Sequence, residues 1–150
     1  MWVSPAGVRR LEFGPLPRED HTDPPEAWPP LLRSVITQLE EYFDKSRRTF
    51  DLPLDFSDTL TDFQRDVYDR LLAIDYGHVA SYGQIAREVG KPDMARAVGQ
   101  AVGANPLPIV VPCHRVVTAT GRLGGFSAGD GPATKYRLLA HESGQPGLLL

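Results

Sequence analysis

The sequence predicts an α/β protein of two unequal parts, on three observations. Val8 to Phe13 and the alternating run Thr49-Phe-Asp-Leu-Pro-Leu-Asp-Phe56 read as strands flanking one amphipathic helix. Beyond residue 60 the pattern turns helical, with recognisable caps. Two of those helices are short and separated by a brief glycine-containing turn, the outline of a helix-turn-helix.

Taken in order, Val8–Phe13 gives a single strand, which cannot make a sheet alone. Residues 14–30 (GPLPREDHTDPPEAWPP) combine proline and charge and read as a linker or loop. From Leu31 to Phe43, apolar residues at Leu32, Val35, Ile36, Leu39 and Phe43 predict a helix with one buried face. The run from Thr49 ends at Ser57-Asp58. Thr61-Asp-Phe-Gln64 fits a capping box, opening a helix that buries Phe63, Val67, Leu71 and Ile74 and stops at Gly77. Ser81-Tyr-Gly-Gln84 is a second capping box, opening a helix over 82–89 that ends at Gly90. Pro92 suits the first position of a third helix over 92–102, through Met94, Val98 and Val102.

Composition narrows the function classes. The chain has 150 residues, 41% hydrophobic, and no apolar run of eighteen or more. Its N-terminus lacks a basic start followed by an apolar stretch, so a cytoplasmic or nucleoid-associated location is expected. The lone cysteine, Cys113, excludes an internal disulfide and a multi-cysteine zinc site. Net charge is −3, which argues against a generic nucleic-acid binder. Residues 1–61 carry 7 basic and 11 acidic side chains, net −4; residues 62–150 carry 9 and 8, net +1. Arg87, Lys91, Arg96, Arg115 and Arg122 could therefore form local positive surface.

The chemical centre is Asn105-Pro-Leu-Pro-Ile-Val-Val-Pro-Cys-His-Arg-Val-Val117. Three prolines within residues 106–112 stiffen the backbone leading to the thiol. An imidazole or a cation lowers a thiol pKa, and His114 and Arg115 follow Cys113 directly. Adjacent side chains of an extended segment point opposite ways, however. Taken alone, Cys113 reads more economically as a buried, inert thiol beside surface His and Arg.

The surrounding motifs change that balance. Ser81-Tyr-Gly, Arg96-Ala-Val-Gly99, Asn105-Pro106, Pro112-Cys-His-Arg-Val116, Gly124-Gly-Phe-Ser127 and Leu138-Leu-Ala-His-Glu142 stand in the order and near the spacing of one family. Over roughly residues 31–142 the sequence resembles the O6-alkylguanine-DNA alkyltransferases, also called methylated-DNA–protein-cysteine methyltransferases. The resemblance implies a small, reduced ribonuclease-H-like N-terminal part over 1–58. It also implies a helical, winged-helix-type C-terminal domain over 59–145 carrying the helix-turn-helix.

It further implies a DNA-repair methyltransferase that moves an alkyl group from guanine O6 to Cys113 once, irreversibly. His114 and Glu142 would activate the thiol through a hydrogen-bonded relay. Tyr82 would crowd the target phosphate and hydrogen-bond the flipped guanine. Arg96 would fill the space left by the base in the minor groove, with Ala95 small enough to bring the helix close. Ser81, Tyr82, Ala95, Arg96 and Arg115 are the expected DNA contacts. Phe126 and Ser127 would wall the pocket, the carbonyls of Cys113 and Val116 would meet the guanine amine, and Asn105 would act as a hinge. Double-stranded DNA carrying O6-alkylguanine is the implied partner, with no cofactor, no metal, no membrane and a monomeric state.

Three departures stand beside the resemblance. The chain starts too late to hold the family's whole N-terminal β-hairpin, Phe126 replaces a frequent tyrosine, and 128–134 is slightly long. Rival readings are an alkyltransferase-like damage sensor, a Cys-His hydrolase and a helix-turn-helix regulator. Sensors of that kind replace the cysteine, usually with tryptophan; no oxyanion-hole motif supports the hydrolase.

Overall fold

A computed structural model describes residues 1–14, 24–56 and 60–144. The linker reading therefore falls partly, over 15–23, outside the described residues. So do the end of the 49–58 run, the boundary after residue 58, and the apolar C-terminus.

The chain opens with a hairpin: β1 (Trp2–Ser4) pairs antiparallel with β2 (Gly7–Arg10). Thus Val8–Phe13 is not alone; its partner is the short segment before it, too brief to show alternation. Ser4 Oγ takes the Ala6 and Gly7 amides and donates to Asp55, fastening the turn. The predicted strand over 49–56 is reduced to one bridge, Val8 to Leu54. Val8 uses both its main-chain groups there, donating to Pro53 O at 2.8 Å and accepting from Asp55 N at 2.9 Å. Gly7 is required at this approach, because a Cβ would stand 2.5 Å from Pro53 O. Farther along, Asp51 pairs with a side chain instead of a strand: Gln38 Nε2 donates to Asp51 O and Gln38 Oε1 accepts from Asp51 N.

Gln38 lies on α1 (Pro30–Phe43), which begins with proline where no intrahelical donor is needed. The helix is where its spacing predicts, but its buried stripe is Val35, Gln38 and Tyr42. Phe43, expected in the core, is half exposed. Tyr42 displaces it because its hydroxyl has a buried partner, described below.

In the second part, α2 (Asp62–Leu72) carries the complete Thr61–Gln64 capping box and buries Val67, Tyr68 and Leu71. It ends before Gly77, the cap falling at Ala73. A two-residue parallel pair joins β3 (Ala80–Ser81) to β4 (Val116–Val117). From β3 the chain enters α3 (Tyr82–Glu88) directly, with Ser81 Oγ accepting from Gln84 N at 3.1 Å. This cap is half a box, since the Gln84 side chain reaches forward to Glu88. The next helix, α4 (Ala95–Gly103), starts three residues later than expected. Pro92 instead occupies the turn closed by Met94 N to Lys91 O, at the second turn position, where its fixed φ is favoured. The last helix, α5 (Pro132–Ser143), stops at Gly144 in the left-handed region.

Val8, Val35, Val67, Leu71, Ile85, Val98, Leu107, Val111 and Val116 share one buried cluster, so both parts of the chain contribute to a common core. Leu11 N also donates to Pro106 O across them. Among the described residues no helix is long and apolar enough to cross a membrane.

Candidate active site

The stiff segment 105–112 delivers Cys113 into the core at the head of a single 3-10 turn, Cys113–Arg115. Asn105 holds the approach at both ends: its Oδ1 accepts from Leu107 N at 3.0 Å and its Nδ2 donates to Val111 O at 2.8 Å. Because the segment turns here and is not extended, His114 and Arg115 both point inward and meet one carboxylate.

That carboxylate is Glu142, two turns along α5 from Lys135 and on the same face. Glu142 Oε1 lies 2.7 Å from His114 Nε2, 3.0 Å from Arg115 Nη2 and 2.9 Å from the Tyr42 hydroxyl. Its Oε2 accepts from Arg115 Nε at 2.9 Å and from Gly77 N at 3.1 Å. Burial alone would raise the Glu142 pKa, but the hydrogen bonds from His114 and Arg115 outweigh it and bring it to about 2. Glu142 is therefore a fixed anion that orients His114 and does not take its proton.

Burial holds His114 below the usual histidine range despite that anion, so the ring is neutral at rest. With Glu142 as an obligate acceptor, the neutral tautomer carries its hydrogen on Nε2. Nδ1 is then a lone pair, buried and without a hydrogen-bond partner among the described residues. Burial likewise pushes the Cys113 thiol up, opposed by the Asn105 amide, the Lys135 ammonium and the amides of Cys113 and His114. A protonated thiol and an unprotonated imidazole on one turn are the resting states of a nucleophile and a base.

Lys135 was not singled out in the sequence. It is fully buried, donates to Val116 O at 2.5 Å and to Gly125 O at 3.3 Å, and burial lowers its pKa to about 8. Val116 O, expected to face a guanine amine, thus has one of its lone pairs already engaged.

Tyr82 heads α3, and the β3–β4 pair sets that helix start beside the turn bearing Cys113. Its ring lies 3.8 Å from the place of a Gly99 Cβ, and its hydroxyl would stand 2.9 Å from a Cβ on Gly124. Burial and the nearby thiol raise its pKa, so it remains a phenol and a donor. Tyr82, Ala95, Arg96, Gly99, Phe126 and Ser127 line an open groove of about 760 Å³. Arg96 is exposed on α4 at its rim. Tyr82 and Phe126 pack against the cluster that holds the buried Cys113.

One expectation is corrected. Arg115 is not on a DNA-facing surface: its guanidinium is spent on Glu142 and on Ile74 O, and it is 5% exposed. The cause is the 3-10 turn, which swings it inward. Ser127 lines the groove, its hydroxyl donating to Gly103 O at 2.8 Å. Among the described residues no cluster of His, Cys, Asp and Glu could hold a metal ion.

A buried thiol with a neutral base, a saturated orienting anion and an adjacent groove defines a cysteine-nucleophile protein. The sequence model described as the 6-O-methylguanine DNA methyltransferase DNA-binding domain matches residues 62–144, and that family's ribonuclease-like domain matches 6–56. A methylated-DNA–protein-cysteine methyltransferase of Mycobacterium bovis is 43% identical over 122 residues, covering 81% of this chain and 71% of the relative. One from Methanosarcina acetivorans is 41% identical over 108 residues, covering 70% and 68%. The crystal structure of Mycobacterium tuberculosis OGT in complex with DNA superposes with a TM-score of 0.69 at 45% identity, covering 76% of this chain and 69% of that one. The chain belongs to the 6-O-methylguanine DNA methyltransferase family.

Proposed function

We propose that the protein repairs alkylated DNA by moving the alkyl group from guanine O6 onto Cys113 in one irreversible transfer. The observation that carries this reading is a neutral His114, next in the chain to the buried Cys113 thiol, whose Nε2 is fixed on Glu142 and whose Nδ1 is left open to take up a proton. The Cys113 proton passes to His114 and the sulfur attacks the alkyl carbon. The S–C bond forms as the C–O6 bond breaks, its electron pair staying on the guanine, which takes up a proton. The thioether product has no leaving group, so each chain acts once.

A guanine inside a duplex hides O6 in the stack, so the nucleotide is rotated out. Arg96 from α4 fills its place in the minor groove, with Ser81, Tyr82 and Ala95 against the backbone. Tyr82 donates to the guanine as charge develops, and Phe126 stacks beside it. The α3–α4 pair acts as a helix-turn-helix of a winged-helix-type domain over 59–145, on a ribonuclease-H-like part over 1–58. The protein works as a monomer in the cytoplasm or on the nucleoid.

The alternative is a damage sensor that binds alkylated guanine without reacting. Cys113 and its intact relay favour transfer. Intact-protein mass spectrometry after incubation with a duplex containing O6-methylguanine separates the two. One methyl-sized gain per chain, absent in Cys113→Ala, is expected; tight lesion binding with no mass gain would instead establish the sensor.

A further inference from the structure

Tyr42 sits on α1, in the part of the chain that the reaction above leaves unused, yet both its polar groups reach α5. Its hydroxyl donates to Glu142 Oε1 at 2.9 Å, and its carbonyl accepts from His141 Nε2 at 2.9 Å. The residue is fully buried, its ring 5.1 Å from that of His141 and edge-on to Tyr76 at 6.0 Å. Packing needs only the ring, which a phenylalanine would supply. The hydroxyl falls on the single oxygen through which Glu142 meets His114.

We propose that Tyr42 is a positioning residue for alkyl transfer: its hydroxyl fixes Glu142 Oε1 and draws off part of that oxygen's charge, so that α1 sets the orientation and basicity of His114. The consequence for rate rests on the transfer reading; the effect on His114 does not. The charged and titratable groups bearing on His114 are Glu142 and Lys135 from α5, Arg115 from its own turn beside the adjoining Cys113, and Tyr42 acting through Glu142 from α1. Without the hydroxyl, Oε1 becomes the stronger acceptor and favours the imidazolium. The His114 pKa then rises. A ring already protonated cannot receive the thiol proton, so the acid limb of the transfer rate moves to higher pH.

The test compares wild type with Tyr42→Phe, which keeps the ring, and with His141→Ala, which cuts the other link between α1 and α5. Histidine NMR titration of the free protein reads His114 directly. Single-turnover transfer from saturating O6-methylguanine duplex, followed against pH, reads the consequence. Tyr42→Phe should titrate His114 at higher pH and transfer about tenfold more slowly at neutral pH, the loss of one hydrogen bond to a charged group, with duplex affinity unchanged. His141→Ala should show neither pH shift. An unmoved His114 titration in Tyr42→Phe, or a slowing that His141→Ala reproduces with an unchanged pH profile, would overturn the proposal. A wild type that transfers nothing counts against the transfer reading, while the His114 titration still decides the role of Tyr42.

Discussion

At the scale of single residues, the chemistry depends on Glu142 being an anion whose lone pairs are all engaged. Five donors converge on its two oxygens, three of them charged or chargeable side-chain groups of Arg115 and His114. Its folded pKa is depressed, to about 2 from 4.5. The stability it contributes is therefore complete above pH 4.5 and lost as pH falls toward about 2. Glu142→Gln leaves the buried Arg115 guanidinium without its counter-charge and should cost about 3–5 kcal/mol at neutral pH. Denaturant unfolding of both proteins should show that difference shrinking as pH falls below 4.5. A constant gap down to pH 2 would mean that Glu142 does not carry its charge in the fold. His114, Cys113 and Glu142 were singled out in the sequence as a possible relay. That Arg115 belongs to the same cluster was not visible, because its direction depends on the 3-10 turn at Cys113.

At the scale of elements, the short β3–β4 pair does the most for its size. Two residues of parallel ladder bring the start of α3 to the end of the cysteine turn, and the loop through Gly124 then closes over Tyr82. Gly124 has φ +68 and stands where any Cβ would come 2.9 Å from the Tyr82 hydroxyl. Gly124→Ala should cost about 1–2 kcal/mol from the left-handed backbone alone. It should also displace the phenol and slow transfer, while far-UV circular dichroism stays unchanged because no helix is touched. Wild-type transfer kinetics in that variant would remove Tyr82 from the reaction. Helix positions were legible because capping and periodicity are local: the Thr61 box formed in full, and of the four positions its spacing marks α2 buries Val67 and Leu71, with Phe63 partly buried and Ile74 beyond the helix end. The start of α4 is not legible, because a proline suits a helix's first turn and a β-turn equally well, and the turn at Lys91–Met94 takes it.

At the scale of the whole molecule, the N-terminal part is not an appendage. Val8 and Val35 lie in the cluster that holds Val98, Val111 and Val116, Leu11 is hydrogen-bonded to Pro106, and Tyr42 reaches Glu142. The two parts should consequently unfold together. Gly7→Ala forces a Cβ to 2.5 Å from Pro53 O, a backbone atom that cannot swing aside. The expected cost is about 1–3 kcal/mol, as for other overpacked sites. Tryptophan fluorescence from Trp2 and Trp28, both in the N-terminal part, and histidine NMR at Glu142's neighbour His114 should report one transition at the lowered midpoint. Two separate transitions would show that the hairpin and the cysteine-bearing domain are energetically independent.

The amino-acid sequence by itself determined α1, α2 and α3, the cap at Thr61, the rigid approach to the thiol and the family, since each is written in residues close together or in motifs with fixed order. Only the tertiary structure decided which groups surround the thiol. Arg115 turns inward, the Ser127 hydroxyl goes to Gly103, Lys135 is buried against Val116 O, and Tyr42 completes the shell of Glu142 from a hundred residues away. The physical reason is that these placements follow from satisfying buried polar groups across distant segments. No local pattern encodes which donor will find which acceptor once the core has closed.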